Sequence, residues 1–266
     1  MTVVQSIIIA IVEGVTEFIP ISSTAHMRMT ENILGLSNTD EFLKVFTIAI
    51  QLGAILSVVV LYWKKFFDFK RLNFYLKLII AVIPALIFGK LFKDQIDKIL
   101  EKPLIIAIIM LAGGIVLLFV DNWFKRPVIK DEKQIGNFTA FKIGLYQCLS
   151  IIFPGLSRSA ATIIGGMSLK LSRSAAAEFS FFLAVPTMLA ATVYTIYKYI
   201  QENGAFTSEQ IKLLAMGNVI AFIVAMIAIK FFINFLKKHG FRVWGIYRII
   251  VGLALIILIY SGYINK

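Results

Sequence analysis

Apolar residues run through this chain in long blocks, without the short alternation that marks the half-buried elements of a soluble domain. Six blocks are free of charge for long enough to cross a bilayer, allowing for tilt and snorkelling ends: roughly 45–63, 78–92, 103–120, 179–197, 213–229 and 249–265. The second is short and carries Lys90 near its end. Interface anchors mark several ends: Tyr62-Trp63-Lys64-Lys65, Trp123, Tyr194 and Tyr197, Trp244 and Tyr247. Two further apolar stretches, 1–27 and 143–169, are each interrupted by a proline and a Ser/Thr cluster with an ionisable residue. These are predicted to be re-entrant helix–break–helix hairpins rather than spans. The expected fold is all-α and integral to the membrane, with six transmembrane helices plus two re-entrant helical hairpins in a single domain over 1–266.

Composition agrees. Of 266 residues, 59% are apolar and only 16% charged, where a soluble chain would carry about a quarter charged. Mean hydropathy is +0.86. The net charge of +12 comes from Lys and Arg clustered between apolar runs, which is the signature of cytoplasmic loops and argues against nucleic-acid binding. The single Cys148 excludes an intramolecular disulfide. Residues 1–12 lack a basic leader and a small-residue cleavage site and run straight into Glu13, so they do not read as a signal peptide.

Loop charge orients the spans. Loop 64–77 holds five Lys or Arg against one Asp, and loop 230–248 holds Lys230, Lys237, Lys238, Arg242 and Arg248 with no acid. Both are predicted to be cytoplasmic. Loops 198–212 and 93–102 balance their charges and are predicted to lie outside. Hairpin 1–27 then enters from the outside and hairpin 143–169 from the cytoplasm. Opposed hairpins suggest an inverted-topology repeat, with repeat one about 1–130 and repeat two about 131–266. A shift of 134 residues places Glu13 on Gln147, Pro20 on Pro154 and Ser23 on Ser157.

The chemistry concentrates in the two interrupted stretches. Glu13-Gly-Val-Thr-Glu17-Phe-Ile-Pro20-Ile-Ser-Ser23-Thr-Ala-His26 packs two carboxylates, hydroxyls and an imidazole into an apolar setting. Glu13 and Glu17, one helical turn apart, share a face, and two carboxylates in an apolar medium need a cation. Pro20 breaks the helix, and Ser22, Ser23 and Thr24 are placed to cap the next one or face a ligand. In Pro154-Gly155-Leu156-Ser157-Arg158-Ser159-Ala160-Ala161-Thr162, Ser157 is a natural cap, and Arg158 is the lone charge between Ile143 and Leu169. Free helix N–H groups, serine hydroxyls and an arginine suit a phosphate, with Ser157, Arg158, Ser159 and Thr162 as the phosphate-binding set. Glu13 and Glu17 suit a divalent metal, Mg²⁺ or Ca²⁺ rather than zinc. Plainer roles fit other residues: a solvated His239, interhelical hydrogen bonding by Gln51, capping or packing by Ser22, Ser159 and Ser168, anchoring by Lys170 and Arg173, and helix contact at Gly113-Gly114 and Gly165-Gly166.

The segments 13–26 and 154–162, with Ile50-Gln-Leu-Gly53, Glu178-Phe-Ser-Phe181 and Ala228-Ile-Lys230, resemble the undecaprenyl-pyrophosphate phosphatases, the UppP/BacA family. The resemblance spans nearly the whole chain. Ala25 and Ala160 depart from it, standing where glycine is expected. It implies a metal-dependent hydrolase of the bacterial inner membrane that converts undecaprenyl pyrophosphate to the monophosphate at the outer face. Such an enzyme recycles the lipid carrier for peptidoglycan and confers bacitracin resistance. The expected partners are a prenyl pyrophosphate lipid and the bilayer, with a homodimer left open. The expected roles are Glu13 and Glu17 on the metal, Arg158 on the phosphate, and Ser23 as nucleophile with His26 as base or leaving-group acid; attack by water or by His26 itself stays open. The rival class is a transporter or lipid flippase, which shares broken helices and repeats. A two-histidine lipid phosphatase with Ser-Arg-x5-His is excluded, because Ile164 and Phe179 stand at the histidine positions.

Overall fold

The computed structural model describes residues 1–37, 39–100 and 102–264, apart from the side chains of Lys93, Asp94 and Asp97. The charge balance expected for 93–102 therefore rests partly on Glu101, outside the described residues, as is the last residue of the predicted span 249–265. The helices are α1 (Val3–Thr16), α2 (Ser23–Ile33), α3 (Glu41–Ala49), α4 (Gln51–Leu61), α5 (Trp63–Phe66), α6 (Leu72–Leu91), α7 (Lys93–Leu100), α8 (Pro103–Trp123), α9 (Asn137–Ile152), α10 (Arg158–Ser168), α11 (Arg173–Asn203), α12 (Ser208–His239) and α13 (Arg242–Tyr260). No strand ladder forms among the described residues; Ile129 and Leu171 make an isolated bridge.

Among the described residues six helical stretches are long and apolar enough to cross a membrane: Glu41–Leu61, Leu72–Leu91, Pro103–Trp123, Arg173–Asn203, Ser208–His239 and Arg242–Tyr260. They match the six expected blocks, and this is a multi-pass membrane protein. The ends differ because the helices continue through charged residues. Most of the expected loop 230–248 is helix: α12 runs on to His239 and α13 starts at Arg242, so only Gly240 and Phe241 connect them. Lys77, assigned above to a loop, is buried within α6 and donates to the carbonyls of Glu132 and Lys133.

The interrupted stretches fold as two hairpins, α1–α2 and α9–α10. Each second arm is an eleven-residue helix capped by a serine with positive φ, Ser22 at 72° and Ser157 at 77°, whose hydroxyl accepts from the amide three residues on. The structural counterpart of Ser157 is therefore Ser22, one residue off the register in which Ser23 was paired with it. Packing partners correspond too, with α1 lying along α12, α9 along α6, and α8 along α13. The hairpins open to opposite ends of the bundle. The open end of α1–α2 lies with Leu36, Phe42 and Leu213 at the start of α12, whereas the chain leaving α10 at Lys170–Ser172 is bonded to Val128 and Ile129 ahead of α9.

Outward positions of the spans are apolar, for example Ile79, Ile83 and Leu86 of α6 and Ile250, Leu253 and Ile257 of α13. Lipid solvates such residues as well as a neighbouring helix does, so cohesion relies on close backbone approach and interhelical hydrogen bonds. A Cβ on Gly144 would overlap the Ala81 carbonyl, and one on Gly53 would overlap the Asn218 backbone. The first span is interrupted at Ile50, which strands backbone groups at membrane depth. Two neighbours recover them: Asn218 of α12 accepts from the Gly53 amide at 2.7 Å, and Thr192 of α11 donates to the Ile48 carbonyl at 3.2 Å. At the end carrying loops 62–71 and 124–136, buried Glu132 pairs with Arg71 and Lys65, and Lys65 also reaches Glu178 at 3.1 Å.

Asn218→Leu should strand the Gly53 amide at a cost of about 1–3 kcal/mol. The thermal midpoint of the detergent-solubilised protein should fall by several degrees, and an unchanged midpoint would show that the bond is dispensable.

Candidate active site

The hairpins meet at their breaks, and one side chain fastens them there. Arg248 of α13 is fully buried. Its Nε donates to the Met110 carbonyl at 3.1 Å, Nη1 to Pro20 at 3.2 Å and Leu156 at 2.8 Å, and Nη2 to Gly155 at 2.9 Å. The carbonyls left over where both helices stop thus converge on one planar cation, whose five fixed donors suit the task better than an ammonium. Gly113 and Gly114, expected only to allow helix contact, leave room for this side chain, since a Cβ on Gly113 would overlap the Arg248 guanidinium. Gly155 has φ +101°, and a Cβ there would lie 2.6 Å from the Ile106 carbonyl, so glycine is required at this break.

The same breaks free amide groups. Ser22 and Ser157 cap the amides of Ala25 and Ala160, which leaves the first amides of α2 and α10 and their positive dipole ends at the junction. Ser159 ties the ends together: its hydroxyl lies 2.9 Å from that of Ser157 and donates to the Ile19 carbonyl at 3.2 Å. Thr162 is turned away, bonded to the Arg158 carbonyl and 2.6 Å from the Ser180 hydroxyl. Ser159 and Thr162, both predicted to hold phosphate, are therefore placed here as internal braces.

Glu17 is the hub. Its Oε1 accepts from Arg158 Nη2 at 3.1 Å and its Oε2 from the Ser23 hydroxyl at 2.7 Å, while Arg158 Nη1 holds the Ser180 carbonyl at 3.0 Å. Arg158 thus finds the anion its isolation demanded, and that anion is Glu17 rather than Glu13. Glu13 lies beside the Glu17–Arg158 pair, wholly buried, with its carboxyl group against that of Glu17 and no N–H or hydroxyl donor on either oxygen. Arg158 Nε is likewise buried without a partner. A buried carboxylate without donors is held neutral or lies against a cation, so a divalent ion beside Glu13 and Glu17 fits. No group of three or more His, Cys, Asp and Glu is assembled among the described residues. Such an ion would complete its shell with ligand oxygens and water, as Mg²⁺ commonly does.

His26 is not directed at Ser23. Its Nδ1 lies 2.8 Å from the Ser22 carbonyl, which can only accept, so Nδ1 carries the proton. Nε2 of the neutral ring then accepts from the Tyr247 hydroxyl at 2.8 Å, and the two rings stack with centroids 5.6 Å apart. Tyr247 and Arg248, adjacent on α13, were both missed from sequence as site residues. One was read as an interface anchor and the other as a loop cation. Gly113-Gly114, opposite an arginine at the start of an apolar run, was the available clue to Arg248.

Fold and site define a polytopic membrane protein in which two helix breaks, Arg158 and a pair of glutamates meet inside the bundle. Comparison with known proteins makes this specific. Residues 6–254 match the family described as bacitracin resistance protein BacA, and the chain belongs to that family. It is 54% identical over 258 residues to a protein of Flavobacterium psychrophilum named undecaprenyl-diphosphatase, covering 97% of this chain and 96% of that one. Relatives of the same name occur in Porphyromonas gingivalis, 50% identical with 98% of each chain covered. Another is found in Bdellovibrio bacteriovorus, 43% identical over 99% of this chain and 98% of the relative.

Arg248→Leu should leave the carbonyls of Pro20, Gly155 and Leu156 without donors and destabilise the protein by at least about 3 kcal/mol. Arg248→Lys should recover only part of that, because one ammonium cannot reach both breaks. Thermal unfolding in detergent compares them, and equal stability of wild type and Arg248→Leu would refute the clamp.

Proposed function

We propose that this protein is an undecaprenyl-diphosphatase. It hydrolyses undecaprenyl diphosphate to undecaprenyl phosphate and inorganic phosphate, which returns the lipid carrier to cell-wall synthesis and underlies bacitracin resistance. The observation that carries this reading is the junction of two half-helix N-termini with Arg158 and a Glu17–Ser23 pair inside an apolar bundle. A diphosphate head group needs aimed amides and a guanidinium, and a prenyl tail needs lipid. A reaction needs a nucleophile beside a base, which pure binding does not.

In this mechanism Arg158 and the free amides of α2 and α10 orient the terminal phosphoryl group. Ser23 gives its proton to Glu17 Oε2 as its oxygen bonds to the terminal phosphorus. The bond to the bridging oxygen breaks, and undecaprenyl phosphate leaves. Water then attacks the phosphoserine phosphorus and Glu17 returns the proton to the departing Ser23 oxygen, which releases inorganic phosphate and restores both the hydroxyl and the carboxylate. The 2.7 Å Ser23–Glu17 bond favours Glu17 over His26 as base, and the half-buried position of Ser23 gives it access to ligand that Glu13 lacks. His26, with its ring set by Ser22 and Tyr247, serves as a positioning residue that fixes the first turn of α2. Glu13 and Glu17 would hold Mg²⁺ or Ca²⁺, and when bound such an ion supplies charge neutralisation to the diphosphate.

The site is proposed to face the outer side of the bacterial inner membrane. Support comes from loop charge: the end carrying Lys64, Lys70, Arg71, Lys125, Arg126 and Lys238 is the basic, cytoplasmic one. The α1–α2 hairpin opens at the other end. The matched caps and packing of the hairpins favour two inverted repeats, about 1–130 and 131–266, forming one domain over 1–266.

Phosphate release from a long-chain prenyl diphosphate, measured in detergent with and without EDTA, tests the reading. Release should require divalent metal and fall by at least about a hundredfold in Glu17→Gln and Arg158→Gln. Ser23→Ala should be nearly inactive while His26→Gln keeps measurable turnover. The opposite order would remove Ser23 as nucleophile, and absence of release from the wild type in any lipid would remove the enzyme.

A further inference from the structure

A second cavity lies at the basic end of the bundle, between the α8–α9 linker, the start of α11 and the end of α12. It measures about 400 Å³. Its lining includes the cations Lys125, Arg173 and Lys237, together with Ser174. Phe124 and Leu171 are among its apolar members. Asp121 is the one acid in the lining, and its carboxylate is already engaged: Oδ1 accepts from Arg173 Nε at 2.6 Å and Oδ2 from the Phe241 amide at 2.7 Å. Among the described residues no acid pairs with Lys125 or Lys237. The lining therefore holds a surplus of positive charge beside an apolar surface. Trp123, 59% exposed at the end of α8, marks this level as the boundary between acyl chains and head groups.

We propose that this cavity binds the phosphate head group of an anionic lipid, with the lipid's chain along Phe124 and Leu171. With Arg173 paired to Asp121, the exposed Lys125 and Lys237 leave the lining with surplus positive charge that a phosphate head group matches, since its oxygens accept from lysine, arginine and serine alike. The apolar members are of no use to a free ion, but a lipid covers them. A cytoplasmic leaflet rich in anionic lipid supplies the ligand from the adjacent bilayer plane. That location rests on the membrane orientation proposed above. The chemistry of the cavity does not depend on the hydrolysis reaction, and no residue of the junction near Glu17 takes part.

Native mass spectrometry and thermal unfolding of the full chain in a mild detergent test this with three probes: dioleoylphosphatidylglycerol, uncharged dioleoylglycerol and inorganic phosphate. Phosphatidylglycerol should be retained and should raise the unfolding midpoint, and dioleoylglycerol should do neither. Lys125→Gln/Lys237→Gln should bind phosphatidylglycerol roughly tenfold more weakly while releasing phosphate from prenyl diphosphate at the wild-type rate. Arg158→Gln should lose that hydrolysis yet retain the lipid, which separates this site from the catalytic one. Equal retention of phosphatidylglycerol by wild type and the double variant would overturn the proposal. So would equal stabilisation by dioleoylglycerol, which would reduce the cavity to an apolar groove. Stabilisation by inorganic phosphate as strong as by the lipid would also overturn it, in favour of a free-anion site.

Discussion

A helix cannot stop in the middle of an apolar bundle unless its stranded backbone groups find partners. This constraint governs the whole molecule. Two hairpins stop there, at Pro20 and at Gly155, and both sets of carbonyls go to one guanidinium, that of Arg248. Among the described residues the cation has no carboxylate partner, and carbonyl oxygens receive its donors. The clamp also leaves a division of labour, because carbonyls are spent on Arg248 while the amides of the following helices stay available. Helix N–H groups left open and a cation held by carbonyls are thus two faces of the same backbone interruption. The smaller break at Ile50 follows the same rule with neutral groups, Asn218 and Thr192.

The chemistry of the junction is set by an imbalance between acids and donors. Arg158 and Ser23 satisfy Glu17, whereas Glu13 faces the Glu17 carboxyl group with no N–H or hydroxyl donor. The group without donors is the more deeply buried of the two. A charge-assisted bond at such depth is worth more than at a surface. The two serine caps hold backbone conformations that side chains seldom adopt. Both stand at the junction, where local strain is retained because the surrounding packing leaves the chain no alternative.

Much of this was legible in the sequence. Charge-free run length fixed six spans, and proline beside clustered hydroxyls located both breaks. The isolation of Arg158 in an apolar stretch called for an anion, and the structure supplies Glu17. What escaped shares one cause. Arg248, Lys77 and Tyr247 border charge-free runs, where a cation or tyrosine reads as a loop or interface residue, and periodicity cannot tell a side chain snorkelling outward from one turned inward. Ser159 and Thr162 were expected at the phosphate because they share a helix end with Arg158. Their hydroxyls instead serve the Ile19 carbonyl and Ser180, partners distant in sequence and invisible to motif spacing. His26 was matched to Ser23 by proximity in the chain, yet its ring is held by a residue of α13.

Arg248 and Tyr247 lie on the final helix described, while the segments they hold are made much earlier. During synthesis the first hairpin leaves the ribosome long before α13 exists, and the second also precedes it. Until α13 inserts, the carbonyls of Pro20, Gly155 and Leu156 lack their donor, and His26 lacks the hydroxyl that holds Nε2. The clamp on the two breaks can therefore close only after α13 has docked against α8. Before that, the hairpins can meet through Arg158–Glu17 and Ser159–Ile19, but without the cation that gathers the carbonyls of both breaks. Assembly order thus matters, because the brace comes from a helix made after both of the segments it joins.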